Sequence, residues 1–347
     1  MILPIFAASF SAAARPGKLT TMKRTLQFIQ DWMLPLAIVT GITMYLAMRF
    51  LPGLGTVEPC FSKFSKNIQP TLVALMLFLQ FNKISPHDLR VHRWHFRLLL
   101  VQTVLFAAFA LIASRMPHGV PRILVESATL CFITPTAAAA GVITSKLGGN
   151  LATSVTYLVL ANCLAAVLIP LLIPMLNPTE GMSFGQNFFG ICRQVFPLLI
   201  LPLAAAWIIR YTMHKVQVFL MHYTHWAFYL WGLSLTLALY LATRALVNSG
   251  ISIMAALLIA GVALLCTLFL FFVGRKAGKP YGHAESITSG QVLGQKNTGF
   301  LIWLGYSFMT PVTSVAGGLY SIFQNLVNSW ELYEQRVSGQ VREKKEK

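Results

Sequence analysis

The chain has 347 residues, of which 56% are hydrophobic and 11% are charged. Soluble domains carry about 45–50% apolar and about 25% charged residues, so this composition argues against a soluble enzyme and against a disordered chain. The formal net charge is +17, which in a soluble chain would suggest nucleic-acid binding. In a chain this apolar, the composition instead predicts an all-α integral membrane protein.

Ten apolar segments are predicted to span the membrane, since a spanning helix needs about 20 largely apolar residues. In chain order, predicted spans 1 to 10 cover residues 32–51, 68–83, 96–114, 121–145, 151–175, 187–211, 225–246, 251–273, 284–305 and 309–330. They divide the chain into an N-terminal segment (1–24), a first five-helix repeat (25–175), a second five-helix repeat (186–330) and a polar cytoplasmic tail (331–347). We expect Met22 to be the natural initiator, or residues 1–21 to lie at the membrane interface. From Gln335 onward we expect disorder.

The Lys and Arg residues are distributed unevenly between the two sides of this layout. With the N-terminus inside, 19 of the 27 fall on the inner side and six on the outer side. This asymmetry follows the positive-inside rule and predicts a multi-pass protein with both termini in the cytoplasm, which we assign to a bacterial inner membrane. The expected macromolecular surroundings are therefore the lipid bilayer, and nucleic acid is not expected. The two remaining basic residues, Arg193 and Lys296, lie within predicted spans.

Spans 4 and 9 contain residues that interrupt a helix at membrane depth. In span 4, Pro135 stands between Thr134 and Thr136, where it removes a backbone donor and clashes with the preceding turn. In span 9, residues 294–299 form a run too polar to face lipid. The two segments hold the same place in two five-span halves, which must have opposite orientations. Matched broken segments in inverted repeats indicate the binding site of a secondary transporter, although either alone would be taken as an ordinary kink.

The residues at these two breaks resemble motifs of the bile acid:sodium symporter family. Residues 134–141 stand where that family has a Cys-Pro-Gly-Gly motif ending in Ser-Asn, and residues 294–300 resemble its Glu-x-Gly-x-Gln-Asn-x-Gly-Leu stretch. The resemblance extends from about Asp31 to Trp330. It implies ten helices in a panel domain (spans 1, 2, 6 and 7) and a core domain (spans 3–5 and 8–10), with broken spans 4 and 9 crossing in the core. It also implies transport of organic anions, such as bile acids and other carboxylates.

The positions that correspond to the family's cation sites depart from its pattern. The residues there are Gln102, Ala140, Gly141, Val292, Gln295 and Lys296. Where the family has a Ser-Asn pair, a Glu and a Gln, this chain has two small residues, a valine and a lysine. A hard cation takes roughly six oxygen ligands, and an ammonium ~4 Å away would repel it by about several kcal/mol. We therefore expect no sodium coupling and no metal or cofactor, with a proton as the alternative coupling ion.

Lys296 is the charged residue that the resemblance brings to the crossing of spans 4 and 9. Intramembrane charges mark functional sites by default, so its ammonium is expected to replace a bound cation and to attract a small organic anion. The structural alternative is a lysine paired with Glu126 or Glu285. We expect the substrate beside the crossing, where the candidate binding residues are Thr134, Pro135, Thr136, Lys296, Asn297 and Thr298.

Catalytic motifs offer no competing interpretation. The sequence contains no HExxH or phosphate-binding loop motif, so an enzyme is not expected and no catalytic residue is assigned. The expected function is a sodium-independent carrier of an organic anion that works by alternating access. The alternatives are a sodium-coupled organic anion symporter and a membrane sensor that binds its substrate without transporting it.

Overall fold

The computed structural model describes residues 32–345, except for the side chains of Arg336 and of residues 338–345. The predicted N-terminal segment 1–24 and the interpretation of residues 1–21 lie outside these residues. The described part of the chain forms fourteen α-helices. They are α1 (Met33–Phe50), α2 (Glu58–Phe81), α3 (Arg93–Arg115), α4 (Val120–Ile133), α5 (Ala140–Lys146), α6 (Leu151–Leu176), α7 (Phe184–Leu199), α8 (Leu201–Thr212), α9 (His214–His222), α10 (Trp226–Asn248), α11 (Ile253–Gly278), α12 (His283–Gly294), α13 (Thr298–Phe308) and α14 (Ser314–Lys345). Short 3₁₀ turns occur at Pro86–Asp88, Lys279–Tyr281 and Pro311–Thr313.

Several of these helices suit a lipid environment. Five described helices are long and apolar enough to cross a membrane, and α7 with α8 makes a sixth if this bent pair counts as one span. The pair is bent by 42°, and Pro202 in the first turn of α8 accounts for the break because it lacks a backbone donor. Predicted spans 1, 3, 5, 7 and 8 coincide with α1, α3, α6, α10 and α11.

The predicted spans with more polar ends differ most from the structure. Helix α2 begins at Glu58, ten residues before the predicted start of span 2, since its first turns are helical but carry Lys63 and Lys66. Helix α14 continues to Lys345, well beyond the predicted end of span 10, whereas disorder was expected from Gln335 onward. The tail is rich in residues that favour helix formation. Glu331, where the predicted tail begins, forms an ion pair of 2.6 Å with Arg275 of α11.

Glycines let α11 and α12 approach each other closely. A Cβ atom on Gly274 of α11 would collide with the backbone of Ser289 and Gly290 on α12, and one on Gly294 would collide with the Phe271 ring. In lipid there is no hydrophobic effect to drive helices together, so membrane helices associate through close van der Waals packing. Small residues at the interface make this close packing possible. This contact places the end of α12, and with it the second helix break, in the middle of the bundle.

Replacing Gly274 by valine is expected to destabilise the fold by about 1–3 kcal/mol, the usual cost of overpacking. Gly261→Val is a matched control on the same helix, because nothing lies within 4 Å of a Cβ atom at Gly261. Thermal unfolding of the two purified variants in detergent measures the difference. Equal melting temperatures would contradict the close α11–α12 contact.

Candidate functional site

The two helix breaks meet in the interior of the bundle. Helix α4 ends at Ile133 and α5 begins at Ala140, while α12 ends at Gly294 and α13 begins at Thr298. The connectors run antiparallel and form a single β-bridge between Thr136 and Lys296.

Backbone groups that lose their helical partners at one break form hydrogen bonds with the backbone of the other break. The Ala137 N–H donates to the Gln295 carbonyl at 2.9 Å, and the Asn297 N–H donates to the Pro135 carbonyl at 2.9 Å. Interrupted helices at membrane depth require such pairing, because lipid offers no hydrogen bonds to unpaired backbone groups.

Three buried polar side chains close the helix ends around this crossing. The Thr134 Oγ1 donates to the Leu130 carbonyl at 2.6 Å, and the Thr136 Oγ1 donates to the Val292 carbonyl at 2.6 Å. The Gln102 Nε2 of α3 donates to the Ile133 carbonyl at 3.1 Å. The sequence suggests these two hydroxyls and this amide as ligand contacts. In the structure they bond to backbone carbonyls instead and so fix the shape of the crossing.

Helix α13 begins at Thr298, directly after the crossing. Asn297 caps this helix by accepting a hydrogen bond from the Phe300 N–H at 3.2 Å, and Thr298 is buried beside it. The Asn297 Nδ2 is buried and has no hydrogen-bond partner among the described residues. A helix N-terminus carries about half a positive charge, so this end of α13 and a free amide both favour an anion.

Lys296 brings a buried amino group to the same place. Its side chain is 1% exposed, and its backbone N–H donates to the Gln324 Oε1 at 2.8 Å. Its Nζ atom has no hydrogen-bond partner in the described part of the chain, and its electrostatic neighbours are the buried thiols of Cys131 and Cys266. A buried ammonium without a partner is costly, which makes this nitrogen available to an anion.

The alternative of a lysine paired with a glutamate is wrong. Glu126 is bonded by the Arg122 Nε at 2.9 Å, and Glu285 accepts a hydrogen bond from the Asn150 Nδ2 at 3.0 Å. Both carboxylates are held by other donors, and neither pairs with Lys296 in the described part of the chain.

The remaining cation-site equivalents offer few free oxygens. Ala140, Gly141 and Val292 have no side-chain oxygen, and the Gln102 Oε1 accepts the Tyr157 hydroxyl at 3.1 Å. The side-chain amide of Gln295 donates to Gln291. The polar side chains at these positions thus bond to protein groups.

Sequence reasoning missed the contribution of α14. Its Gln324 binds the Lys296 backbone, and the Tyr320 hydroxyl donates to the Gly294 carbonyl at 2.7 Å. Farther along, Glu331 accepts a hydrogen bond from the Gln291 Nε2 at 2.6 Å. The signal was available, because polar residues on one face of an otherwise apolar helix are unsuited to lipid. They recur at helical spacing as Ser321, Gln324, Asn328 and Glu331, all buried.

An apolar helical bundle in which two interrupted helices cross beside an intramembrane charge has the architecture of a membrane transporter. The comparison with known families agrees, since the family model of the SBF-like CPA transporter family matches residues 31–281. The chain belongs to this family, whose members are transporters of the bile acid:sodium symporter type, and it is an integral multi-pass membrane protein. No curated protein matches the sequence.

Proposed function

We propose that the protein carries an organic anion across the membrane by alternating access, without sodium, and that the Lys296 ammonium occupies the place of a bound cation. The observation that carries this proposal is the Lys296 Nζ, which is buried at the helix crossing without a hydrogen-bond partner among the described residues. A carboxylate is the ligand class that satisfies it, since charge-assisted hydrogen bonds to an ammonium are the strong ones. The Asn297 amide and the α13 N-terminus, which follow Lys296 directly in the chain, add further donors.

The proposal includes ten spans arranged as inverted repeats, and reciprocal contacts of two glutamates support it. Glu126 at the start of span 4 accepts a hydrogen bond from the Thr310 N–H, next to the start of span 10, at 3.1 Å. Glu285 at the start of span 9 accepts one from Asn150, the cap of span 5, at 3.0 Å. The first contact joins span 4 to the start of span 10, and the second joins span 9 to the start of span 5. A shift of five spans therefore relates the two contacts, as expected for two repeats.

Helix packing supports a panel and a core as the two moving parts. Helix α10 of span 7 packs against α1 and α2, and α2 packs against α8 of span 6. Among the core helices, α3 packs against α4 and α6, and α11 packs in the same way against α12 and α14. In this proposal the core carries the crossing and the substrate past the panel. Both termini face the cytoplasm of a bacterial cell, in keeping with the bias in basic residues.

Sodium is expected to have no effect on transport, because the side chains at the cation-site equivalents offer few free oxygens to a hard cation. Uptake of labelled carboxylates into proteoliposomes should be equal with sodium and with potassium outside. An imposed proton gradient is the third arm, and acceleration there would identify the proton as the coupling ion. Uptake driven by a sodium gradient would contradict the proposal, and saturable binding without any flux would indicate a sensor.

A further inference from the structure

An arginine joins the proposed panel to the proposed core. Arg244 lies near the end of α10, in the panel, and its Nη1 donates to the hydroxyl of Tyr306 on α13, in the core, at 2.9 Å. Helices α10 and α13 pack against each other. Tyr306 follows the first residue of α13 by eight positions, which places it about 12 Å along the helix from the crossing. In the proposed topology this bond therefore lies between the crossing and the outer surface.

The panel holds Arg244 independently of the core. The Arg244 Nε forms an ion pair of 2.6 Å with Glu58 in the first turn of α2, and the Tyr240 hydroxyl donates to the same carboxylate oxygen at 3.4 Å. The Tyr240 ring packs edge-on against Tyr45 of α1, with 5.6 Å between the ring centroids. Helices α1, α2 and α10 thus support the guanidinium together, so Arg244 stays with the panel if the core moves.

The core contributes only a neutral side chain to this contact. The Tyr306 hydroxyl accepts from Arg244, and the Lys66 Nζ of α2 lies 5.7 Å from the centroid of the Tyr306 ring, within the range of cation–π attraction. A guanidinium binds a carboxylate more strongly than it binds a hydroxyl. When panel and core separate, the bond to Tyr306 therefore breaks before the ion pair with Glu58.

An anion that arrives from the outer side meets this contact in a place that water can reach. The side chains of Arg244 and Glu58 are 29% and 15% exposed. The carboxylate of such an anion competes with the Tyr306 hydroxyl for the guanidinium, because charge-assisted hydrogen bonds between two ions are the stronger ones.

We propose that the hydrogen bond between Arg244 and Tyr306 is the outer gate of the carrier, which holds panel and core together in this structure and breaks when an anion enters from outside. Tyr306 then moves away with the core, whereas Arg244 remains on the panel with Glu58. This inference rests on the proposed function, and it identifies the contact that must open on the outer side.

The test measures how fast a cysteine behind the gate reacts with a membrane-impermeant maleimide added to intact cells. The reporter is Ser234→Cys in the full chain with its five native cysteines replaced by alanine. Ser234 is 1% exposed, and it faces α13, since a Cβ atom at Gly299 would lie 3.1 Å from its Oγ. It precedes Arg244 by ten residues, so it lies about 15 Å deeper along α10.

Labelling of the reporter is expected to be slow with the gate intact. Tyr306→Phe keeps the ring and removes the hydroxyl, so the reporter should react at least about threefold faster, a modest effect because the lost bond involves a charged but partly exposed group. Arg244→Gln should act in the same direction and keeps the test informative if Tyr306→Phe does not fold. Tyr333→Phe, at an exposed tyrosine on α14, should leave the rate unchanged.

A chain that retains Cys60 alone reports which end faces outward. Cys60 is exposed in the first turn of α2, beside Glu58, and should react rapidly in intact cells. An unreactive Cys60 would overturn an outer gate. Equal reporter rates with the gate intact and in whichever of Tyr306→Phe and Arg244→Gln folds would overturn the gate as well.

The labelling rate does not depend on anion uptake, so the gate and the proposed function can fail separately. In the Lys296→Met background, Tyr306→Phe should still accelerate labelling. Faster labelling without anion uptake in any variant would support the gate and contradict the anion carrier. Normal anion uptake with labelling that ignores both gate substitutions would overturn the gate alone.

Discussion

Replacing Lys296 by methionine is expected to abolish anion uptake and, at the same time, to stabilise the folded protein. The ammonium is buried without a hydrogen-bond partner among the described residues, and a lysine at membrane depth costs roughly 2.5–3.5 kcal/mol on insertion scales. Methionine has a similar length and no charge, so stability should rise by up to about 3 kcal/mol. If Lys296 served only to stabilise the fold, its replacement by methionine would lower the stability.

The functional loss follows from the same missing charge. Truncating one partner of a buried charge pair costs about 2–5 kcal/mol in binding, which is a loss of roughly 30-fold or more in affinity for a carboxylate. Thermal unfolding in detergent measures the first effect, and uptake into proteoliposomes measures the second. Lys279→Met is the control, because Lys279 is exposed just beyond α11 and should alter neither quantity.

Lys296→Gln extends the same test. A glutamine restores at this position the residue type that the resemblance associates with a sodium site, and it removes the repelling charge. Recovery of sodium-dependent binding would support cation replacement by the lysine. Full anion uptake by Lys296→Met would remove this residue from the mechanism.

The positions of the two breaks were predictable from the sequence because they depend on local chemistry. Pro135 cannot continue a helix, and the polar run at 294–299 cannot face lipid, so both interruptions follow from residues that stand next to each other. The continuous apolar spans were predictable for a similar reason, since hydropathy reports the solvent around a helix directly.

The contacts of the crossing were not predictable, because they join residues far apart in the chain. The Gln324 side chain reaches the Lys296 backbone from another helix, and the Arg122–Glu126 pair on one helix turn removes the partner that the sequence suggested for the lysine. The early start of α2 was missed since hydropathy marks where lipid begins, whereas a helix can extend beyond it. The short helix α9 was missed because it is nine residues long, about half a span.

Breaking the Arg122–Glu126 pair is expected to cause a large loss of stability. The carboxylate is 0% and the guanidinium 8% exposed, and their separation is 2.9 Å. Glu126→Leu leaves the arginine charge buried without its partner, which costs about 3–5 kcal/mol. The same change releases the Thr310 N–H, so the linker between α13 and α14 loses an anchor as well.

The double variant Arg122→Leu/Glu126→Leu should be more stable than Glu126→Leu alone, because replacing a whole buried pair by apolar residues costs far less than removing one member. Unfolding free energies of the two single variants and the double variant yield the coupling between the residues, which we expect to lie at the upper end of about 0.5–3 kcal/mol. Glu180→Leu, at an exposed glutamate on the loop before α7, should change stability by less than about 0.5 kcal/mol. If the single and double variants were equally unstable, the arginine would be held by its hydrogen bonds to the Met116 and Leu176 carbonyls, and Glu126 would stabilise only the linker at Thr310.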